Sequence, residues 1–289
     1  MKILKTDFSV PEWIKEHFIK FERIEKHNTE FYDFLRNKLK RFNSDNPEVS
    51  IVIPAWNEEK NLLRTLSSLS KLETNYETEI IVINNNSTDK TQYILDKLGV
   101  KSFFQPEQSI SLTRQMGLEV SKGKYHLCAD SDTIYPTTWV DELVDALKNP
   151  DVTCVYGEYS FVPHEGMTRR QLAAYEIFSN LLFKLRRKRR DFLNVMGFNF
   201  AFRKEDGLKV GGFNTGRKFW SDGWMAMQLA QIGQIKLLKT EKTKVWTVPR
   251  KMVKDGGIIR TIFKRLGREK TKITEYVFRK KVKHHHPIN

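Results

Sequence analysis

The segment HLCADSDTIYP, His126 to Pro136, places two carboxylates directly after a short apolar run. The run predicts a buried strand, so Asp130 and Asp132 would lie where that strand ends. In open α/β sheets the ligand crevice lies outside the carboxyl ends of the strands. Carboxylates there need a positive partner, and a divalent cation shared with a phosphate is a common one. An Asp-x-Asp pair alone is weak evidence, because such pairs also form turns.

The residues before this segment predict β-α-β units. Strand-like runs at 50–54, 79–83, 100–104 and 124–129 alternate with helical patterns at 62–69, 93–98 and 112–120. Alternation at this spacing favours an α/β fold with a mostly parallel central sheet flanked by helices. We therefore expect the two carboxylates to lie at one edge of such a sheet.

The order of elements becomes looser after Asp132. The patterns predict helices at 139–147, 172–185 and 224–233, and strands at 152–161, 198–203, 235–238 and 244–248. Residues 1–46 predict an N-terminal helical extension, with apolar faces broken at Asn28–Thr29. The chain is therefore predicted to have three parts, which are this extension (1–46), a main α/β domain (47–250) and a basic C-terminal helical tail (251–289).

Composition bounds the class of protein. Of the 289 residues, 39% are hydrophobic and 12% aromatic, which is typical of a globular chain. We expect a cytoplasmic protein, because we find no apolar run long enough to span a bilayer and no secretory signal at the start. Cys128 and Cys154 lie in strand-like runs and are expected to be buried thiols. His126, inside a strand, is expected to be packed.

The charge is strongly basic, with 50 Lys and Arg against 35 Asp and Glu, a formal net charge of +15. Basic residues collect at 186–190 and after Arg250, which suits phosphate-rich partners. They are not interleaved with aromatic residues on one face, so no nucleic-acid partner is expected. Ile258, Ile259, Ile262 and Phe263 lie among basic residues, as in a helix that binds an anionic membrane surface. The alternative, that this strip packs onto the main domain, is equally open.

Five segments resemble, in order, the motifs of the family 2 glycosyltransferases, which are inverting enzymes with the GT-A fold. The segments are VSIVIPAWNEE (49–59), IIVINNNSTDKT (80–91), SLTRQMGLEVSKGKY (111–125), CADSDT (128–133) and GGFN with WSD (211–222). The resemblance covers about Val49 to Arg250. It implies a GT-A catalytic domain with a nucleotide-sugar half (47–135) and an acceptor half (136–250).

The resemblance also implies a nucleotide-sugar donor and the residues that bind it. By that likeness the donor pocket involves Pro54, Ala55, Asn57, Glu58, Asn85, Arg114 and Asp130. Asn85 falls where the family commonly has an Asp facing the base. Asn keeps an acceptor but loses the charge and adds two donors, so a UDP-sugar and a GDP-sugar both remain open. Residues 87–89 are better explained as a helix N-terminus.

The resemblance implies a divalent metal and a general base. Asp132 would be the direct ligand of Mn²⁺ or Mg²⁺, and Asp130 would contact the ribose or a metal-bound water. Asp222 takes the position of the base that accepts the proton of the acceptor hydroxyl, while Ser221 replaces the family's usual Glu. On local sequence, Asp222 is equally explained as a helix cap. Arg250 or Lys251 is a candidate cationic helper for the diphosphate.

The function predicted on these grounds is metal-dependent, inverting transfer of a sugar to an acceptor hydroxyl. The acceptor would be a surface glycan or a lipid-linked sugar, and the enzyme would be cytoplasmic and peripheral to the membrane. One alternative is a nucleotidyltransferase acting on sugar phosphates, although the loop PAWNEEKN lacks the Gly-rich basic character of that class. The other is a non-catalytic protein that binds nucleic acid or the donor, given Asn85 and Ser221.

Overall fold

The structure is a computed structural model that describes residues 7–18, 29–164, 166–187, 190–216 and 220–277. Within these ranges ten strands form two sheets. The strands are β1 Val49–Ala55, β2 Thr78–Asn84, β3 Lys101–Phe104, β4 Tyr125–Cys128, β5 Thr133–Ile134, β6 Val152–Gly157, β7 Tyr159–Phe161, β8 Phe200–Arg203, β9 Gln234–Leu238 and β10 Val245–Thr247.

The α-helices of the described residues are numbered in chain order. They are α1 Glu12–Lys15, α2 Thr29–Leu39, α3 Leu62–Leu69, α4 Thr91–Leu98, α5 Ile110–Val120, α6 Trp139–Leu147, α7 Arg169–Arg187, α8 Lys204–Lys209, α9 Ser221–Leu229, α10 Arg250–Asp255 and α11 Ile258–Val277. Short 3₁₀ helices occupy Lys40–Phe42, Asp191–Asn194 and Glu241–Thr243.

The main sheet has the strand order β3-β2-β1-β4-β8-β6-β9. Its neighbours run parallel except β8, which is antiparallel to both β4 and β6. Every residue of β1 and β2 is buried, as expected for a parallel sheet covered by helices on both faces. Ile51 and Ile53 face one apolar cluster and Val52 faces another. The predicted α/β class with a mostly parallel, helix-flanked sheet is confirmed.

The second sheet, β5-β10-β7, corrects one prediction. The run 152–161 was expected to form a single strand, but it divides into β6 and β7, which belong to different sheets. Close packing explains the break. A Cβ at Gly157 would lie 2.5 Å from the carbonyl oxygen of Thr243. The amide of Asn199 donates to the carbonyls of Glu158 and Thr243, both at 2.9 Å, which holds the turn between the two sheets.

The first 46 residues pack against the main body where the structure describes them. Leu35, Leu39 and Phe42 belong to the largest apolar cluster. Helix α1 spans only four residues, and Ile14 is fully buried beside Trp246. The part of the predicted N-terminal helices at 19–28 lies outside the described residues.

The two alternatives for the apolar strip concern the C-terminal helix α11. Ile258 and Ile262 pack against a cluster that contains Leu172, Tyr175 and Met252. Ile259 and Phe263 are 71% and 70% exposed. The strip is therefore divided: half of it packs onto the body and half faces outward. The end of the tail, 278–289, lies outside the described residues.

The remaining expectations concern buried groups. Cys128 and Cys154 are buried free thiols, as predicted. His126 is buried and stacks on Phe202, with ring centroids 4.9 Å apart. Burial lowers the pKa of His126 to about 3. Among the described helices, none combines the length and the apolar character needed to cross a bilayer.

Candidate functional site

A cleft of about 1010 Å³ opens at the carboxyl ends of β1, β2 and β4. Pro54 and Ala55 line it from the end of β1, and Asn85 lines it from the residue after β2. Asp130 and Asp132 line it from the loop that follows β4. The parallel register of these strands brings their ends to the same edge of the sheet. This edge is where open α/β folds bind ligands.

Asp132 has a polar partner on each carboxylate oxygen. The hydroxyls of Thr133 and Thr247 both lie 3.3 Å from its Oδ1. Nε of Arg250 lies 2.5 Å from its Oδ2. The side chain is only 9% exposed, and the Arg250 guanidinium compensates for the hydration that it loses by burial.

Arg250 also forms an ion pair with Glu58, another buried residue of the cleft. Burial raises the pKa of Glu58, and the charge of Arg250 opposes that rise. Burial would lower the pKa of Arg250, but the charges of Asp132 and Glu58 raise it above its usual value. The guanidinium thus bridges carboxylates that follow β1 and β4.

Asp130 is bound from behind by Arg114, with Nη2 3.0 Å from its Oδ1. Desolvation raises the pKa of Asp130 to about 7, while Arg114 lowers it and Asp132 raises it further. The hydroxyl of Tyr135 accepts the Asp130 amide at 2.8 Å and donates to the carbonyl of Phe198 at 3.1 Å. Arg114 thus fixes the side chain of Asp130, and Tyr135 fixes its backbone.

Arg114 was expected to contribute to the donor pocket. It is buried and is not among the residues that line the cleft. Its Nη1 donates to the carbonyl of Gly197 at 3.1 Å, while the Gly197 amide donates to Oδ2 of Asp222 at 2.7 Å. Arg114 and Gly197 therefore connect Asp130 to Asp222 from beneath the cleft floor.

Gly197 is a site residue that the sequence analysis missed. A Cβ at this position would overlap Nη2 of Arg114 and lie 3.2 Å from Oδ2 of Asp222. Only glycine therefore fits between the two charged groups. The local sequence does not indicate this role, because a glycine between Met196 and Phe198 resembles any other loop glycine.

Asp222 lines the cleft and does not cap a helix. Helix α9 begins at Ser221, three residues earlier than expected, and its cap residue is Trp220. Trp220 has a φ of 66°, and its indole lies so close to Gly223 that a Cβ there would overlap it. The carboxylate of Asp222 accepts the Gly197 amide instead of an amide of its own helix. Ser221, where the family usually has Glu, is buried and does not line the cleft.

Asn57 was expected to line the donor pocket, but the structure places it in a bridge between two loops. Its side-chain Oδ1 accepts a hydrogen bond from the backbone amide of Thr88 at 2.8 Å, and its backbone amide donates to Oγ of Ser87 at 3.0 Å. Its φ of 53° is a left-handed conformation that Asn tolerates well. Asp89 accepts the amide of Thr91 at 2.9 Å at the start of α4, as a helix N-terminus requires.

Asn85 lines the cleft with most of its side chain buried. Its backbone amide donates to the carbonyl of Ala55 at 2.8 Å. Its Oδ1 accepts the amide of Ser109, the N-cap residue of α5, at 3.1 Å. The carbonyl of the Asn85 side chain is thus already engaged within the protein, which leaves its Nδ2 group to meet a ligand.

The oxygen donors at the cleft suit a hard divalent cation. In the described part of the chain, no group of three or more His, Cys, Asp or Glu residues forms a metal cage of its own. Mg²⁺-type ions need only one or two carboxylates when phosphates and waters supply the other ligands. Arg250 already places positive charge against Asp132 and Glu58, so these carboxylates are arranged around a cation. Asp132 and Asp130 fit such an ion.

Comparison with known proteins identifies the relatives of this chain. A family model described as "Glycosyl transferase family 2" matches residues 50–206, more than half of the chain. An uncharacterized protein of Methanocaldococcus jannaschii is 25% identical over 197 residues, which cover 63% of this chain and 82% of that protein. The glycosyltransferase GlyG of Streptococcus pneumoniae is 28% identical, with 38% of each chain covered.

A third relative has a named substrate. The poly(ribitol-phosphate) β-N-acetylglucosaminyltransferase TarP of Staphylococcus aureus is 27% identical, with 47% of this chain and 46% of TarP covered. The matches span less than half the length of GlyG and of TarP.

Two solved structures show the same fold. Residues 1–349 of S. aureus TarS in complex with UDP-GlcNAc align with a TM-score of 0.56 and 19% identity, over 70% of this chain and 59% of that fragment. The mannosyltransferase PcManGT of Pyrobaculum calidifontis, in complex with GDP-Man and Mn²⁺, aligns with a TM-score of 0.53 and 18% identity. That alignment covers 75% of this chain and 63% of PcManGT. The likeness confirms the predicted GT-A fold.

Proposed function

The chain belongs to glycosyl transferase family 2, and from that premise we propose that it transfers a sugar from a nucleotide-diphosphate sugar to an acceptor hydroxyl with inversion. The observation that carries the proposal is the arrangement of three carboxylates in one cleft. Asp130 and Asp132 follow β4, and Asp222 reaches the same cleft from α9. Arg114 and Gly197 tie the two sides together. Family membership disfavours the nucleotidyltransferase alternative.

We propose that the donor nucleotide lies at the ends of β1 and β2, against Pro54, Ala55 and Asn85. Because Oδ1 of Asn85 already accepts the Ser109 amide, its Nδ2 hydrogens are the groups that meet the base. An amide hydrogen pairs with a carbonyl oxygen, which both uracil and guanine carry. UDP-sugars and GDP-sugars are therefore the donors to test. Glu58 contributes indirectly, by holding Arg250 in place.

We propose that Asp132, assisted by Asp130, holds Mn²⁺ or Mg²⁺ together with the donor diphosphate. When bound, such an ion neutralises the charge that develops on a diphosphate leaving group. Arg250 adds a second positive charge at the same place in the cleft. Arg114 holds the Asp130 carboxylate from behind and has no direct contact with the donor in this proposal.

Asp222 is proposed as the general base. The amide of Gly197 binds its Oδ2, which fixes the carboxylate and leaves Oδ1 for the acceptor hydroxyl. A base in this position accepts the proton as the hydroxyl attacks the anomeric carbon. One carboxylate suffices for a single displacement, so the buried Ser221 at the neighbouring position does not prevent it.

The acceptor class and the location are proposed from the outward face of α11. A surface glycan or a lipid-linked sugar is the acceptor class, and the cytoplasmic face of the membrane is the location. The outward face of α11 supports this, because Ile259, Phe263 and Leu266 are exposed on a helix that also carries Arg260 and Lys264. An apolar strip with basic neighbours binds anionic membrane surfaces.

The test is release of nucleoside diphosphate from a panel of UDP- and GDP-sugars in the presence of Mn²⁺ and mixed glycan acceptors. We expect release from donors of one base, loss of release with EDTA, and recovery when Mn²⁺ or Mg²⁺ is returned. Proton NMR of the product would show the inverted anomeric configuration. Failure to bind any nucleotide sugar in calorimetry would contradict the proposal.

A further inference from the structure

The end of the cleft away from β1 and β2 has an aromatic wall. Tyr159 packs edge-on against Phe161 and Phe198, with ring centroids 5.3 and 5.1 Å apart. All three side chains line the cleft, and Tyr175 lines it from α7. Flat apolar faces of this kind suit a sugar ring or another bulky neutral group.

Basic side chains complete this end. Arg265 of α11, Arg186 of α7 and Lys251 of α10 all line the cleft. Burial raises the pKa of Tyr159, and the charges of Arg265 and Arg186 both oppose that rise, so both guanidiniums lie near this ring. The carboxylates that line the cleft are Glu58, Asp130, Asp132 and Asp222, and Arg250 forms ion pairs with Glu58 and Asp132. We call the part of the cleft where Arg265 and Arg186 lie near Tyr159 its basic end.

The charge of Arg265 is not neutralised within the described residues. Its Nη1 donates to the hydroxyls of Tyr175 and Ser179 at 2.8 and 2.7 Å, and both partners are neutral. Glu176 on the same helix is committed elsewhere, because Arg169 binds both of its oxygens at 2.8 and 2.6 Å. None of the carboxylates that the structure describes forms an ion pair with Arg265. A part-buried guanidinium held by hydroxyls calls for an anionic ligand.

We propose that the basic end of the cleft binds a phosphate group carried by the acceptor, with Arg265 as its main contact. This inference rests on the proposed function and names the substrate class of the same site. A guanidinium forms two parallel hydrogen bonds to a phosphate, and Tyr175 and Ser179 fix its orientation through Nη1 alone. The aromatic wall receives the sugar next to that phosphate. A lipid-linked sugar diphosphate and a polymer phosphodiester share this chemistry.

Matched acceptors test the proposal. A panel of monosaccharides is prepared in three forms: neutral octyl glycoside, octyl diphosphate and glycerol phosphodiester. With UDP or GDP present, calorimetry measures acceptor binding without requiring transfer. We expect the phosphate-bearing forms to bind about 10- to 100-fold more tightly than the neutral form, the range for a hydrogen-bonded charge pair. The tighter of the two phosphorylated forms identifies the source of the phosphate.

Variants assign the effect to Arg265. Arg265→Gln is expected to remove most of the preference by weakening binding of the phosphorylated forms alone, and Arg265→Lys to retain part of it. The matched control is Arg170→Gln, because Arg170 lies on α7, is exposed and does not line the cleft. Nucleotide binding, measured in each variant, confirms that the fold is intact.

Two results would overturn the inference: equal binding of neutral and phosphorylated acceptors by the wild type, or an unchanged preference in Arg265→Gln. Neither result affects donor binding, so the proposed function would stand. Conversely, absence of nucleotide-sugar binding would remove the proposed function, while the acceptor titration, repeated without nucleotide, would still show whether Arg265 binds phosphate.

Discussion

Nε of Arg250 lies 2.5 Å from Oδ2 of Asp132, the carboxylate proposed as the direct metal ligand. In this arrangement a side-chain cation occupies the oxygen that a divalent ion would use. The other oxygen of Asp132 is near the hydroxyls of Thr133 and Thr247. We infer that a metal ion at Asp132 would compete with Arg250 for this carboxylate, and that a donor diphosphate would offer Arg250 a new anionic partner. Metal and donor binding would then be coupled through one arginine.

We predict that Arg250→Gln tightens Mn²⁺ binding to the nucleotide-free protein by about tenfold, the size of one charge-assisted contact partly screened by solvent. The same variant should transfer sugar more slowly, because the diphosphate loses a positive charge. Electron paramagnetic resonance of free Mn²⁺ measures the affinity. Lys251→Gln, a neighbouring change of equal charge, is the control. An unchanged Mn²⁺ dissociation constant would show that Arg250 does not compete with the metal.

Asp132→Ala is predicted to lower transfer by about 10²- to 10³-fold or more, the range for loss of one electrostatic contact to the transition state. The fold should persist, since Arg250 retains its ion pair with Glu58. Removal of metal by EDTA should have the same effect on the wild type and no further effect on the variant. Full wild-type activity in metal-free buffer would be incompatible with the role of Asp132.

The variant Asp222→Asn distinguishes a catalytic role of the Asp222 carboxylate from a structural one. Asn still offers an oxygen to the Gly197 amide, so the loop should be retained, but it cannot accept a proton. We predict a decrease in kcat of about 10²- to 10⁴-fold with nearly unchanged donor affinity. The measurement pairs steady-state kinetics with nucleotide-sugar calorimetry. A kcat within a few-fold of wild type would assign Asp222 a purely structural role.

Gly197→Ala tests the connection between Asp130 and Asp222. The added methyl would overlap Nη2 of Arg114, with Cζ only 2.8 Å away, and Arg114 is too buried to move freely. We predict a loss of about 1–3 kcal/mol in the free energy of unfolding, as for overpacked sites, together with lower activity. Gly216→Ala is the control, because the added Cβ would lie no closer than 3.4 Å to any described atom outside its two chain neighbours, the nearest being Oδ1 of Asn214. Equal stabilities of the two variants in urea would contradict the prediction.

The sequence predicted the features of this site that depend on local pattern. Buried parallel strands consist of continuous apolar runs, so β1, β2 and β4 could be predicted. The position of Asp130 and Asp132 at the end of a strand followed from that prediction. The contact between Arg114 and Gly197 could not be predicted, because the two residues are 83 positions apart and no periodicity relates them. The break between β6 and β7 likewise depends on the distant residues Thr243 and Asn199.

Helix α11 shows the same limit. Its pattern predicted an apolar strip but not which members would be buried, because Ile258 and Ile262 pack in a cluster with residues that are distant in sequence, such as Leu172 and Tyr175. Asn57 was assigned to the donor pocket from a motif, whereas its left-handed backbone directs its side chain to the neighbouring loop. Local sequence states which residues are present, and long-range packing decides what each one contacts.

The last prediction concerns acid stability and His126. This residue is 1% exposed, stacks on Phe202, and has a pKa lowered to about 3 by burial, against about 6.5 for an unfolded histidine. Between these values the unfolded chain binds a proton that the folded chain does not. The stability contributed by the neutral ring is therefore complete above pH 6.5 and decreases as the pH falls toward 3. The maximum slope is about 1.4 kcal/mol per pH unit.

We predict that His126→Phe, which keeps the ring stacking, reduces the pH dependence of the free energy of unfolding between pH 7 and 5 by about this slope. Urea unfolding at several pH values measures it. The variant also loses the contact between the ring and Oγ of Ser121, 3.3 Å away, so its stability at pH 7 gives the baseline for comparison. His17, whose pKa burial lowers to about 4, remains in both proteins and contributes equally to both curves. Parallel curves for the wild type and the variant would mean that His126 titrates normally in the folded protein.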